Sequence, residues 1–226
     1  MNHLSFSFTS DGSKTLFNSE VGEHYHSQNG ALQESQHVFV KSGLDFIIQK
    51  DQKKTISILE VGFGTGLNFL LSADYCESNS IKLSYTGIEA FPLESEIISQ
   101  TSYHQYVPPS IWQQFIANYK DAAGKSVEIS NNCKLEISHS KLMDFSSKNQ
   151  FDVIYFDAFA AAYQPEMWTL NSLSHACAFL KEGGVFVTYA ITGDLKRNMK
   201  SLGFSIEKAP GAAGKREMLR AIKLIP

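Results

Sequence analysis

The chain has 226 residues, 43% apolar, 12% aromatic and 19% charged, a composition that excludes wholesale disorder and suits one α/β domain. It holds no apolar run near the ~18 residues of a membrane span. Its start, Met1-Asn2-His3-Leu4-Ser5, lacks a signal-peptide layout, and Cys76, Cys133 and Cys177 are too scattered for a disulfide framework or structural zinc, so the cytoplasm is the expected compartment. The net charge of −3 splits into −8 over residues 1–180 (11 lysines, 19 acidic groups) and +5 over 181–226 (nine basic, four acidic), a division that points to a polyanion partner unless those cations only solvate a helix and an edge strand.

Residues 1–50 are polar with scattered aromatics and read as an extension packing on a domain of residues 51–226. Thr9-Ser10-Asp11-Gly12-Ser13 is a turn cluster, and 31–49 reads as one amphipathic helix carrying Leu32, Val38, Phe39, Leu44, Phe46 and Ile47. From residue 55 the pattern alternates. A β-branched run over 55–61 stops at Gly62-Phe63-Gly64-Thr65-Gly66, and a helix begins at Leu67. Strands are then expected over 83–89, 134–138, 151–157, 185–190, 204–208 and 217–225, with helices over 92–102, 110–119, 165–180 and 194–202. The class expected is a Rossmann-like α/β fold: a mostly parallel seven-stranded sheet with an antiparallel last strand.

Gly62, Gly64 and Gly66 let a strand turn tightly into a helix and let a ligand approach main-chain N–H groups at the helix start. The third glycine of a dinucleotide fingerprint is missing, because position 67 is leucine. Glu60 before the turn suits a cationic ligand better than a pyrophosphate, and S-adenosylmethionine carries an ammonium and a sulfonium. Glu89 ends the next strand, where a carboxylate accepts from two ribose hydroxyls. Asp157 ends a nearly wholly apolar strand at the carboxyl edge, where open α/β sheets bind ligands. A plain turn, a strand-ending glutamate and a turn-capping aspartate are the bland alternatives. Together the three positions make the layout of a class I methyltransferase that uses S-adenosylmethionine.

Three blocks sharpen this: Glu60-Val61-Gly62-Phe63-Gly64-Thr65-Gly66-Leu67-Asn68-Phe69; Asp157-Ala158-Phe159-Ala160 leading to Pro165-Glu166-Met167-Trp168-Thr169; and Gly214-Lys215-Arg216-Glu217-Met218-Leu219. In this order they resemble the methyltransferase half of the bifunctional tRNA-modifying MnmC family and its stand-alone versions. The resemblance implies S-adenosylmethionine-dependent methylation of the primary amine of 5-aminomethyl-(2-thio)uridine at the tRNA wobble position. It implies a partner in the tRNA anticodon stem-loop and an upstream enzyme supplying the aminomethyl group. No FAD half is expected in 226 residues. Cofactor contacts are expected from Glu60, Gly62, Phe63, Gly64, Thr65, Gly66, Asn68, Glu89, Ser140 and Asp157. The family tends to have Asp-Gly-Phe-Ala-Pro at the second block and Gly-Asp after the third strand; here these are Asp157-Ala158-Phe159-Ala160-Ala161 and His139-Ser140.

Methyl transfer to an amine needs a free lone pair, so Asp157 is the candidate catalytic group, accepting an amine N–H. Tyr25, His26, Phe159 and Trp168 are candidate walls for a splayed base, with His37 helping to close the pocket. Lys196, Arg197, Lys215 and Arg216 are candidate phosphate contacts. No metal is expected: His24, His26 and His37 lack a fitting fourth ligand. Two rivals are an aminopropyltransferase of the same fold, which would line its site with acidic residues, and a non-catalytic RNA-binding module.

Overall fold

The computed structural model describes residues 3–225. Three short strands open the chain, β1 (Leu4–Phe8), β2 (Lys14–Asn18) and β3 (Glu23–His24), paired into a separate antiparallel sheet. The turn between β1 and β2 lies at the Thr9–Ser13 cluster, where Gly12 takes φ +82° and Asp11 Oδ1 accepts from Thr9 Oγ1 at 2.7 Å. These strands are absent from the sequence reading. Phe6 and Phe8 on β1 are exposed, so apolar alternation there marks no buried face.

A continuous helical run follows: α1 (Ala31–Glu34), a wide π-helical stretch (Ser35–Asp45) and α2 (Phe46–Asp51). It matches the helix expected over 31–49, wound more loosely. Gly43 lets the stretch lie flat on the sheet, since a Cβ there would sit 2.9 Å from Val187 and 3.0 Å from Tyr155. Ser42 Oγ donates to the His37 carbonyl five residues back at 2.8 Å.

The remaining elements are β4 (Thr55–Val61), α3 (Leu67–Ser78), β5 (Lys82–Ile88), α4 (Ser95–Ser99), α5 (Pro109–Asn118), β6 (Val127–Ser130), β7 (Cys133–Ser138), β8 (Phe151–Phe156), α6 (Leu170–Ala178), β9 (Leu180–Thr188), α7 (Gly193–Ser201), β10 (Phe204–Pro210) and β11 (Glu217–Lys223). The strands form one sheet in the order β10-β11-β9-β8-β4-β5-β7-β6. β7, β5, β4, β8 and β9 run parallel, and β11 is antiparallel to both its neighbours. The sheet has eight strands, not seven. The addition is β6, a four-residue edge strand hairpinned to β7, too short and too exposed to carry a pattern. The helix expected over 165–180 begins as a 3-10 turn (Pro165–Trp168), and α6 starts only after Thr169, whose hydroxyl caps Ser172 N.

The central strands β4, β8 and β9 read as apolar runs because both faces are covered, whereas β5 and β7 alternate. On β4, Ile56 and Ile58 join one core with Phe69, Tyr85 and Tyr155, while Leu59 and Val61 join the other with Ile154, Phe156 and Phe186. Because β4 lies between β5 and β8, the chain order reverses at its carboxyl end. That is the crevice where ligands bind in such sheets. Among the described residues, no helix is long and apolar enough to cross a membrane.

Candidate functional site

The glycine turn follows β4 as expected, with Gly62, Gly64 and Gly66 at φ +89°, +52° and +79°. A Cβ on Gly62 would strike the carbonyl of Asp157, so glycine there lets the ends of β4 and β8 touch. At Gly64 the space is taken by Tyr25, whose ring lies 3.1 Å from where a Cβ would stand. Beside the turn opens a cavity of about 580 Å³ whose lining includes Gly62, Gly64, Asn68, Glu89, Ser140 and Asp157. Glu89 braces it, accepting from Gly64 N at 2.8 Å and Phe91 N at 2.9 Å, with lone pairs to spare for hydroxyl donors. Ser140 Oγ lies 2.9 Å from Ser138 Oγ.

Several expected contacts are placed differently. Phe63 and Thr65 line this cavity, yet the Phe63 ring packs among Phe69, Phe115 and Tyr119, and the Thr65 hydroxyl pairs with Tyr103 at 3.2 Å. Gly66 and Glu60 lie outside the lining. Glu60 is buried below, accepting from Tyr85 Oη at 2.8 Å and Asn68 Nδ2 at 2.7 Å. The same Asn68 Nδ2 donates to Asp157 Oδ2 at 2.8 Å, so one amide ties two carboxyls from adjacent strands. Burial, reinforced by Asp157, holds the Glu60 carboxyl well above the usual range. Glu60 thus meets the cavity only through Asn68, which lines it. Asn68 Oδ1 is buried and has no partner among the described residues, an acceptor left open for an N–H donor.

Asp157 lines this cavity and a second one of about 460 Å³. Burial, with Glu34 next, pushes its carboxyl up to about 8; Asn68 and Lys215 pull the other way. The loop it begins is pinned at each residue. Tyr189 Oη donates to Ala158 O at 2.8 Å, Trp168 Nε1 to Phe159 O at 2.8 Å, and Ala160 N to Glu23 Oε2 at 2.8 Å. Trp168 lines neither cavity; it packs on Phe156 and Tyr189 and positions Phe159. Tyr25, His26 and Phe159 line both, with the Tyr25 and Phe159 rings edge-to-face at 5.2 Å. Burial pushes the Tyr25 phenol up to about 12 and His26 down to about 4, so both are neutral near pH 7.

The basic candidates divide. Lys215 points into the second cavity, 2.6 Å from Glu34 Oε1 and 4.1 Å from the centre of the Tyr189 ring. It is expected among the phosphate contacts at the site edge; in the structure its ammonium faces Glu34. Lys196, Arg197 and Arg216 line neither cavity; Arg197 and Arg216 are exposed, and Arg197 pairs with Asp194. His24, His26 and His37 turn to Gln28, Thr15 and Pro210, and among the described residues no metal-holding group forms. The sequence reading omits Glu23, Glu34 and Tyr189 from the site. Tyr189, just past β9, is open to the strand-end argument that selects Glu89 and Asp157. Glu34 carries no local signal, because its partner lies 181 positions away.

A family model described as S-adenosyl-L-methionine-dependent methyltransferase matches residues 108–224. The chain is 31% identical over 216 residues, 91% of its length, to the tRNA 5-methylaminomethyl-2-thiouridine biosynthesis bifunctional protein MnmC of Leptospira interrogans. It is 26% identical over 219 residues to the protein of that name from Magnetococcus marinus. It spans about a third of those relatives, 33% and 32% of their lengths. Among solved structures, MNMC2 from Aquifex aeolicus superimposes with a TM-score of 0.78 at 24% identity, over 98% of this chain and 70% of that one. The magnesium protoporphyrin IX methyltransferase of Synechocystis, solved with bound SAH, gives 0.53 at 10% identity, over 85% and 84%. These likenesses are of fold.

Proposed function

The chain belongs to the S-adenosyl-L-methionine-dependent methyltransferase family, and from that premise we propose that it methylates the primary amine of 5-aminomethyl-(2-thio)uridine at the tRNA wobble position. The name of its MnmC relatives supports the substrate. The observation that carries the chemistry is Asp157, a carboxyl raised to about 8 in the wall between two cavities.

The first cavity fits the methyl donor. The unpartnered Asn68 Oδ1 needs an N–H, which the donor's ammonium has, and Glu89 keeps lone pairs for ribose hydroxyls. Ser140, also in the lining, would hydrogen-bond near the adenine. When bound, S-adenosylmethionine supplies a methyl carbon made electrophilic by its sulfonium. The protein's share is alignment and proton handling. The ionised Asp157 takes a proton from the incoming ammonium, leaving a neutral amine with its lone pair free, and the pinned 157–160 loop fixes that carboxyl. Tyr25, His26 and Phe159 form walls for the uridine, and Lys196, Arg197 and Arg216 meet anticodon phosphates. In this reading residues 1–50 are an extension that builds the substrate wall on the methyltransferase domain of 51–226. The reaction belongs in the cytoplasm with its tRNA, after an enzyme that exposes the primary amine.

Three carboxyls, Glu23, Glu34 and Asp157, line the second cavity, so the acidic lining expected of an aminopropyltransferase is also present. The donor separates the two: an aminopropyltransferase takes the decarboxylated form. The deciding assay incubates the protein with S-adenosylmethionine and tRNA bearing 5-aminomethyluridine, then reads nucleosides by mass spectrometry. The expected product is 5-methylaminomethyluridine, with tRNA bearing 5-carboxymethylaminomethyluridine unchanged. Methylation of a ring carbon or a ribose oxygen would overturn the substrate.

A further inference from the structure

The second cavity already contains a primary ammonium. Lys215 Nζ lies 2.6 Å from Glu34 Oε1 and 4.1 Å from the centre of the Tyr189 ring. Glu34 is buried, accepting a second hydrogen bond from Ser27 N at 2.9 Å. A carboxylate beside an aromatic face is a recognition geometry for an alkylammonium. The Lys215 loop reaches the cavity by docking on the N-terminal segment. Its Gly214, at φ +80°, lies so close to Asn29 that a Cβ would strike the amide, and the Pro210 carbonyl lies 2.7 Å from His37 Nε2. Gly211 and Gly214 give the loop the backbone freedom to move away again.

Resting on the function proposed above, we propose that Glu34 and Tyr189 form a seat for a primary ammonium, held by Lys215 in the free protein and taken by the substrate's aminomethyl group on binding. The exchange is like for like, one alkylammonium for another, so the desolvated Glu34 carboxylate keeps a cation through the binding step, until Asp157 takes the proton for transfer. It brings the substrate nitrogen to the cavity that Asp157 lines. It also accounts for selectivity: a carboxymethylated amine would carry a fourth carboxylate among Glu23, Glu34 and Asp157. Once displaced, Lys215 lies next to the exposed Arg216, where phosphates are expected.

Lysine acetylation followed by mass spectrometry tests the exchange. The full chain, saturated with S-adenosylhomocysteine, is acetylated alone, with 5-aminomethyluridine nucleoside, or with 5-methyluridine. The exposed Lys148 serves as internal reference and cancels the reagent consumed by the nucleoside amine. Lys215 labelling should rise roughly tenfold or more with the amine nucleoside, the scale of one charge-assisted hydrogen bond, and stay flat with 5-methyluridine. In Glu34→Gln, Lys215 should label quickly without ligand, and the amine nucleoside should bind about tenfold more weakly; unchanged S-adenosylhomocysteine affinity would show the variant folded. If the amine nucleoside binds in preference to 5-methyluridine while Lys215 stays protected, the seat is wrong and the proposed reaction stands. If the wild type does not distinguish the two nucleosides, the amine substrate falls and the seat with it.

Discussion

At the scale of single residues, the proposed role of Asp157 ties the pH dependence of the reaction to its carboxyl. Its carboxyl lies at about 8 against an ordinary 3.8, chiefly through burial. The ionised form that accepts a proton therefore fills in as pH rises through about 8, and kcat/KM should climb over that interval. Asp157→Asn should lose that limb and cost ~10²-fold or more in turnover, with donor affinity falling far less. Stability runs the opposite way. The folded chain keeps a proton that the unfolded chain gives up, so the neutral carboxyl's contribution is full below about 4 and is lost as pH rises through about 8. Thermal melts should accordingly show Asp157→Asn gaining on the wild type as pH rises from about 4 to about 8, with a constant difference on either side. Asp157 and the glycines follow strands whose apolar runs are plain in the sequence, and Glu89 follows the alternating strand β5, so their positions at strand ends were legible. Glu60 shows the limit of that argument. A carboxylate one turn of backbone from the ligand is the same letter whether it faces the cavity or, as here, lies beneath Asn68 and Tyr85.

At the scale of elements, the parallel strands could be read because burial on both faces writes long apolar runs in β4, β8 and β9 and one-sided burial writes alternation in β5 and β7. β1–β3 and β6 could not, since strands of two to five residues are too short to write a pattern. The π-helical stretch lies between these cases: its apolar residues show a helix, while its width depends on contact with the sheet. Gly43 is the contact point, with Val187 and Tyr155 about 3 Å from any added Cβ. Gly43→Ala should cost ~1–3 kcal/mol by overpacking, read as a fall in Tm of about 2–4 °C per kcal/mol for a chain of this size. The same substitution should leave the glycine turn and Glu89 in place, so S-adenosylmethionine should still bind to the folded fraction.

At the scale of the whole molecule, the charge division has two meanings. Part of the +5 of residues 181–226 is neutralised by carboxylates of the preceding body, with Lys215 on Glu34 and Lys181 on Asp152; Lys196, Arg216 and Arg197, whose partner Asp194 is equally exposed, are left to face a polyanion. Replacing those three by alanine should weaken tRNA binding and flatten its salt dependence by roughly 0.7–0.9 in slope for each phosphate no longer neutralised, with donor affinity unchanged. Titrations at several salt concentrations would show it, and an unaltered slope would return the three to mere solvation. The 181-residue separation of Glu34 from Lys215 also bears on how the protein is made. The last residue lining the first cavity, the one proposed for the donor, is Ser172, whereas the second cavity waits for Lys215. A ribosome thus delivers every donor-site side chain roughly forty residues before it delivers the last side chain of the amine's enclosure. A chain terminated in that interval would carry a full complement for the methyl source and an unfinished chamber for the acceptor.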